Sequence, residues 1–533
     1  MQQIKLEQFD GDGFLEKLQK AAGFLSQNPY CELILPKGEY VVGTDFSRRL
    51  MEDVLAGKYG DDPEKIIFRP YYHYDVLLCL NKARHVRVRG EGTSLLIDGF
   101  LEPVELTGCE DVELQGITID YLRKPFSVGT TVGVGQNYID VRFSKEQRVT
   151  GQTPAPRVVY FDEKRRCFSK TIMEPACAER REEDVVRYYA DTVIDDMMGR
   201  QTVAIHTYHY RPAVFLHESK NIRLKNLAIH AQCGMGVLGH RCEDIFIEGL
   251  QIVPSAGMPI STNTDATHFT SCKGELTLKH CRFAGSEDDA INVHNYYYTL
   301  EAAGECSFRL RVNAPTFTHA QVVDYPDVLD ELELVDSRTL KPVDVYQVVK
   351  CRQNTAMLCA EVTLDKPLSP NAVKNCLMLN KTRQPELRFI DNHVEYNLAR
   401  CALIKTKCAL IEGCTFQNST GTAVHVSPEG WWHEGGATQK VVIKGNRFVH
   451  TGFGTYARHG NASAVCVEAQ CDDKSELLHE HVSIISNVIE DDSDALYAVS
   501  VANTKEIEIS GNTIHKKQTE PNSSEGSKTI VRM

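Results

Sequence analysis

The 533-residue chain contains only two tryptophans, Trp431 and Trp432, and they are adjacent. It has no apolar run approaching the ~18 residues of a membrane-spanning helix, so no helical membrane span is expected. It lacks an excess of positive charge: 59 Lys and Arg against 72 Asp and Glu give a net charge of −13. That balance argues against nucleic acid or an anionic membrane surface as partner. The opening residues, MQQIKLEQFDGDG, contain no apolar signal-peptide core. The expected compartment is periplasmic or extracellular with a leader missing from this sequence, and a cytoplasmic location stays open. None of the 18 cysteines forms a Cys-x-x-Cys pair. Cys272, Cys281, Cys408, Cys414 and Cys466 fall at strand-like positions, where a thiol packs as a small hydrophobe. The spacing argues against a zinc site.

What is present is strand signal, with a 42% apolar fraction large enough for an extended core. Residues 12 to 27 carry Phe14, Leu15, Leu18, Ala21, Ala22 and Leu25 at helical spacing, and predict one amphipathic helix. The helix and the Leu-Pro-Lys-Gly-Glu-Tyr strand after it resemble the N-terminal cap of pectin-lyase-like β-helices. Then one phrase recurs: alternating apolar residues, a Gly or Asn, and a second alternating pair. Copies begin at Val112, Ile222, Ile245, Leu276, Ala409, Val441, Val482 and Ile507. A second strand register falls between them, at 236–238, 290–293, 423–426, 464–467 and 498–501. Irregular spacing around a unit of about 20–30 residues is the mark of a solenoid with loops of varying length.

The fold expected is all-β, a right-handed parallel β-helix with an N-terminal capping helix. Two stretches with period-2 alternation break the phrase and read as small inserted antiparallel β domains. The expected division is cap and first coils over 1–125, an insertion over 126–210, coils over 211–296, a second insertion over 297–386, coils over 387–515 and a polar tail over 516–533.

The strongest chemical signal lies in Ser261 to Asn295. Asn263-Thr264-Asp265 opens it, and Glu287-Asp288-Asp289 closes it 23 residues on. If that interval is one coil, Asp265 and the Asp288-Asp289 pair stand on successive strands ~4.8 Å apart. Their carboxyls then converge on one groove, with both members of the pair facing solvent at the turn before strand 290–293. Clustered carboxylates repel, so at least one pKa rises. One protonated and one ionised carboxyl are the requirement for glycosidic hydrolysis. The same residues can instead cap turns or hold calcium.

The run Asp265-Ala266-Thr267-His268-Phe269, Cys272-Lys273-Gly274, Cys281-Arg282-Phe283 and Asp288-Asp289-Ala290-Ile291-Asn292-Val293-His294 resembles glycoside hydrolase family 110. More distantly it resembles polygalacturonase-type hydrolases, whose Gly-His-Gly and Arg-Ile-Lys motifs are missing here. The resemblance implies an exo-acting, inverting α-1,3-galactosidase without a cofactor, of the kind that cleaves the blood group B antigen. Its catalytic set is Asp265, Asp288 and Asp289, and its substrate a galactose-terminated glycan. Asn263, His268, Glu287, His294 and Glu434 are candidate substrate ligands. Trp431 and Trp432 suit stacking on a sugar face or, alternatively, plugging the solenoid. The turn before Asp288 is expected to displace it diagonally from Asp265 and so favour the wide, inverting gap. A polygalacturonase-like hydrolase, a calcium-dependent lyase and a β-helical glycan-binding adhesin are the rivals. No metal is expected, and a homo-oligomer is left open.

Overall fold

The computed structural model describes residues 1–169, 171–193, 197–312, 318–454, 462–516 and 531–532. Most of the polar tail lies outside the described residues.

The recurring phrase builds a parallel β-helix. Val86, Val112, Ile222, Ile245, Leu276, Leu387, Ala409, Val441, Val482 and Ile507 pair in register, each directly above the one before. All but the terminal Ile507 are buried. A coil cannot bury its inward residues alone, so the core runs continuously along the stack. The Gly or Asn of the phrase is a left-handed bend between two short strands. Gly249 (φ 66°) and Gly413 (φ 69°) take it without strain, and Asn226 (φ 50°) tolerates it.

Two coils escaped the search for the phrase. Arg84–Ile97 pairs its Val86 with Val112, and Glu386–Ile390 with His393–Glu395 continues the stack at Leu387, with Asp391 (φ 53°) at the bend. All 18 cysteines are free and twelve are buried, among them Cys272, Cys281, Cys414 and Cys466. Cys408 is half-buried.

A second parallel sheet carries Val214–His217, Val237–His240, Thr267–Thr270, Ile291–Ala302, Ala402–Ile404 and Val424–Val426 as successive neighbours. The helix Phe14–Gln27 packs against Val76–Asn81 at the start of this sheet. Between Phe126 and Ile205 the chain forms a seven-stranded antiparallel sheet. The far half of Ile291–Ala302 joins a closed antiparallel ring with Ser307–Val312, Cys359–Leu364, Pro342–Asn354, Glu331–Asp336 and Cys376–Asn380. One strand therefore begins beside the carboxylates and ends in the ring.

Candidate active site

Thr267 pairs with Ile291 and His268 with Asn292, so the coil offset here is 24 residues. Asp265 therefore stacks on Asp289, and the Asp289 backbone N–H donates to Asp265 Oδ1 at 3.1 Å. The next coil, paired Asn292 to Leu403, brings Arg400 under Asp289. The Arg400 backbone N–H donates to Asp289 Oδ1 at 2.8 Å and its Nη2 to Oδ2 at 2.7 Å.

That register leaves Asp288 one residue off the stack on Asp265, yet the three carboxyls still approach closely. Oxygens from Asp265, Asp288 and Asp289, one from each, all lie within 4.8 Å of one another. In-register stacking fixes Asp265 against Asp289, and Asp288 leans in from the turn. The two members of the pair do not both face solvent. Asp289 is 1% exposed and Asp265 4%, while Asp288 is half-buried and is the accessible carboxylate of the three. Burial pushes Asp265 well above the usual carboxylate range, and the Asp288 charge adds to it. Burial does the same to Asp289, opposed by Arg400 and reinforced by Asp288.

Asp265 Oδ2 meets His268 Nδ1 at 2.6 Å, and His268 Nε2 meets His294 Nε2 at 2.8 Å. Burial lowers these imidazoles to about 4 and about 3 respectively, so both rings are neutral at pH 7. Below His294 in the stack sits Lys405, fully buried, with its ammonium between Glu429 and Glu434. Burial works against the Lys405 charge, but the two carboxylates hold it above its ordinary value. Glu434 is not displayed on a loop: it is buried on a short strand paired with Tyr296. Burial works against its charge too, yet the basic groups around it, His294 and Lys405 foremost, hold it well below the usual range. With His294 neutral, Lys405 is the permanent charge of the two.

The remaining expected residues take varied places. Asn263 is buried and its amide donates to the carbonyls of Thr207 (2.8 Å) and Pro125 (3.3 Å), so it ties the backbone behind the carboxylates. Glu287 is buried, and neither of its oxygens has a hydrogen-bond partner among the described residues. Trp431 and Trp432 are 80% and 64% exposed, which removes the plug reading. Their turn is fastened to the strand that follows the carboxylates, since the Tyr297 N–H donates to His433 O at 2.8 Å.

Sequence reasoning gave the segment around Tyr208 no role. Its hydroxyl donates to Asp288 Oδ2 at 2.6 Å. Arg157, from the seven-stranded sheet, donates to that hydroxyl and, at 2.9 Å, to the Glu287 carbonyl. The backbone N–H groups of Tyr208 and His209 both donate to the Glu64 carboxylate. Burial works against a charged His209, but Glu64 holds it above its ordinary value. His319 packs 4.6 Å from the His268 ring. These partners come from residues 64 to 434, and no local motif marks them.

A family model described as "Right handed beta helix region" matches residues 375–521. Alpha-1,3-galactosidase B of Phocaeicola vulgatus is 26% identical over 74% of this chain and 71% of its own length. Alpha-1,3-galactosidase A of Bacteroides thetaiotaomicron is 25% identical over 87% of this chain and 82% of its own. This chain is similar to alpha-1,3-galactosidases. It spans 57% of a third such relative, alpha-1,3-galactosidase B of Akkermansia muciniphila, at 23% identity over 82% of this chain. Among solved structures, the exopolygalacturonase of Thermotoga maritima aligns with TM-score 0.40 at 11% identity, covering 97% of this chain and 90% of that one. The mannuronan C-5 epimerase A-module of Azotobacter vinelandii aligns with TM-score 0.43 at 11% identity, over 98% and 100%.

Proposed function

We propose that this protein is an exo-acting glycoside hydrolase that releases terminal α-1,3-linked galactose with inversion, as an enzyme of glycoside hydrolase family 110 type acting on blood group B-type or linear α-1,3-galactosides. The observation that carries the reading is the carboxylate triplet on adjacent coils, with one accessible member and two buried ones. The similarity to relatives named alpha-1,3-galactosidase supplies the substrate class.

One of Asp288 and Asp289 protonates the leaving glycosidic oxygen and the other takes the proton from the attacking water, with Arg400 beside Asp289 to match the charge that develops there. A water hydrogen-bonded at about 2.8 Å to each of two carboxylates bridges a gap of up to about 5.6 Å, so oxygens within 4.8 Å can grip one between them. Inversion thus rests on the family resemblance and on this water seat. The triplet is also compact enough to invite a calcium reading. Against it, the Arg400 guanidinium is already paired with Asp289 and repels a second cation there.

The test is incubation with α-1,3- and α-1,4-linked digalactosides, with NMR of the fresh product. β-Galactose from the α-1,3-linked substrate is expected. α-Galactose first would replace inversion by double displacement. In a parallel incubation with polygalacturonate, an ultraviolet-absorbing unsaturated product that chelator abolishes would replace hydrolysis by elimination.

A further inference from the structure

Three contacts in a row run from the carboxylate triplet into the protein. Asp265 Oδ2 meets His268 Nδ1, His268 Nε2 meets His294 Nε2, and His294 Nδ1 lies 2.9 Å from the Asn295 carbonyl oxygen. All four residues are buried. The far end settles the proton positions. A carbonyl oxygen only accepts, so His294 Nδ1 carries a hydrogen and donates. In a neutral His294 ring, Nε2 is then bare and can only accept, so His268 Nε2 carries the hydrogen between the rings. The third contact also needs one hydrogen, held either by the Asp265 carboxyl or by His268 Nδ1. Three contacts therefore hold three protons. Two belong to neutral imidazoles, and the third is shared by Asp265 and His268. One proton fewer leaves two lone pairs facing each other, and one more leaves two N–H groups facing.

We infer that His268 and His294 are positioning residues that lock one proton onto the Asp265 pair, keeping that carboxyl from adding a negative charge beside Asp288 and Asp289. The inference deepens the hydrolase reading and rests on it for its kinetic test only. The chain is not isolated from other charges. Asp288, Asp289, Arg400 and His209 face its carboxyl end, and the charge of Glu434 acts on it too. Glu434, 3.8 Å from His294 Nε2 and neutralised by Lys405, faces the imidazole end together with His319. The upward displacement of the Asp265 carboxyl and the lowered imidazoles agree with this proton count.

A divalent metal held by His268, His294 and His319 is the competing explanation, since their nitrogens lie within 4.8 Å of one another. The geometry disfavours it. Two imidazole nitrogens on a tetrahedral ion at 2.0–2.1 Å stand about 3.3 Å apart, whereas these are at 2.8 Å. The adjacent carboxylate, Glu434, is already taken by Lys405.

The test uses the full chain. Two-bond 1H–15N correlation on histidine-labelled protein at pH 7, with assignment by His268→Gln and His294→Gln, reads the tautomers without any substrate. His294 is expected as the Nδ1–H form. In kinetics on an α-1,3-galactoside, His294→Phe, which cannot accept from His268, should move the alkaline limb of kcat/KM down by about one pH unit. His294→Gln, whose side-chain oxygen can accept, should hold the limb near its original place. An Nε2–H tautomer at His294, a stoichiometric bound metal, or both variants losing activity equally with an unmoved limb would each overturn the inference. If no α-galactoside is turned over, the hydrolase reading fails and the tautomer measurement still decides this one.

Discussion

The Tyr208 hydroxyl donates to Asp288 Oδ2 across 2.6 Å, joining residues 80 positions apart in the chain. Arg157 donates to the same oxygen of Tyr208 and lies 4.1 Å over its ring. The accessible carboxylate of the triplet is thus aimed by a side chain that itself is held from another sheet. Removing the hydroxyl alone should loosen Asp288 while leaving the fold intact. Tyr208→Phe is expected to lower kcat by about 10-fold to 100-fold, the usual scale of a mispositioned acid–base group. A near-normal melting temperature should accompany that loss. Full activity in the variant would mean that Asp288 needs no such support.

The three aspartates should not behave alike in stability. Asp288→Asn and Asp289→Asn are each expected to cut kcat by ~10²-fold or more, whereas Asp265→Asn, which keeps a neutral donor toward His268 and an acceptor for the Asp289 N–H, should cost less. Asp288→Asn should keep the wild-type melting temperature, since that side chain is half-buried and meets water. Asp289→Asn should also destabilise, because it takes a carboxylate from the buried side of Arg400. Breaking a buried ion pair typically costs about 3–5 kcal/mol. Parallel measurements of turnover and thermal unfolding check both halves. Full activity in any two of the variants would remove the catalytic assignment.

The coil stack and the triplet were legible for a physical reason. Inward residues of a solenoid repeat because each coil meets the same neighbour, so Ile222, Ile245 and Leu276 announce themselves by phrase. The triplet was legible because one coil is one short sequence interval. The offset was misjudged by one, since nothing in the chain states whether Asp265 stacks on Asp288 or Asp289; only the register Thr267 to Ile291 decides it. Arg400 and Lys405 were invisible because the long antiparallel excursion after His294 separates them from their stacking partners by 111 residues. Tyr208 and Glu64 reach the site by tertiary contact alone, and a single sequence carries no trace of that. Glu434 gave no sign of its place beside Lys405, because the Gly-rich segment around it hides a two-residue strand.

The tryptophans invite a test that separates binding from folding. Both are largely exposed on a turn fastened beside the strand that carries His294. Stacking on a sugar face is felt in ground state and transition state alike. Trp431→Ala and Trp432→Ala are therefore expected to raise KM several-fold with kcat changed little, at an unaltered melting temperature. Unchanged KM in both variants would detach the turn from the substrate.

Glu287 gives the sharpest pH prediction. It is 1% exposed, and neither carboxyl oxygen has a partner among the described residues. Burial pushes its carboxyl up to about 8, with Arg157 pulling down and Asp288 pushing further up. In the unfolded chain the same group titrates near 4.3. Between those values the folded state holds a proton that the unfolded state has released. Folding stability is therefore full below the unfolded pKa and is lost as pH rises through the folded one. Glutamine keeps the shape but has nothing to titrate. Asp265 and Asp289 titrate in both proteins, so their contribution cancels in the difference. The unfolding free energy of Glu287→Gln minus that of wild type should therefore grow by on the order of 3–5 kcal/mol between pH 5 and pH 9. Denaturant titrations of both proteins across that range measure it. A difference that stays flat with pH would mean that the Glu287 carboxyl loses its proton as readily in the folded protein as in the unfolded one, and its burial would then carry no charge penalty.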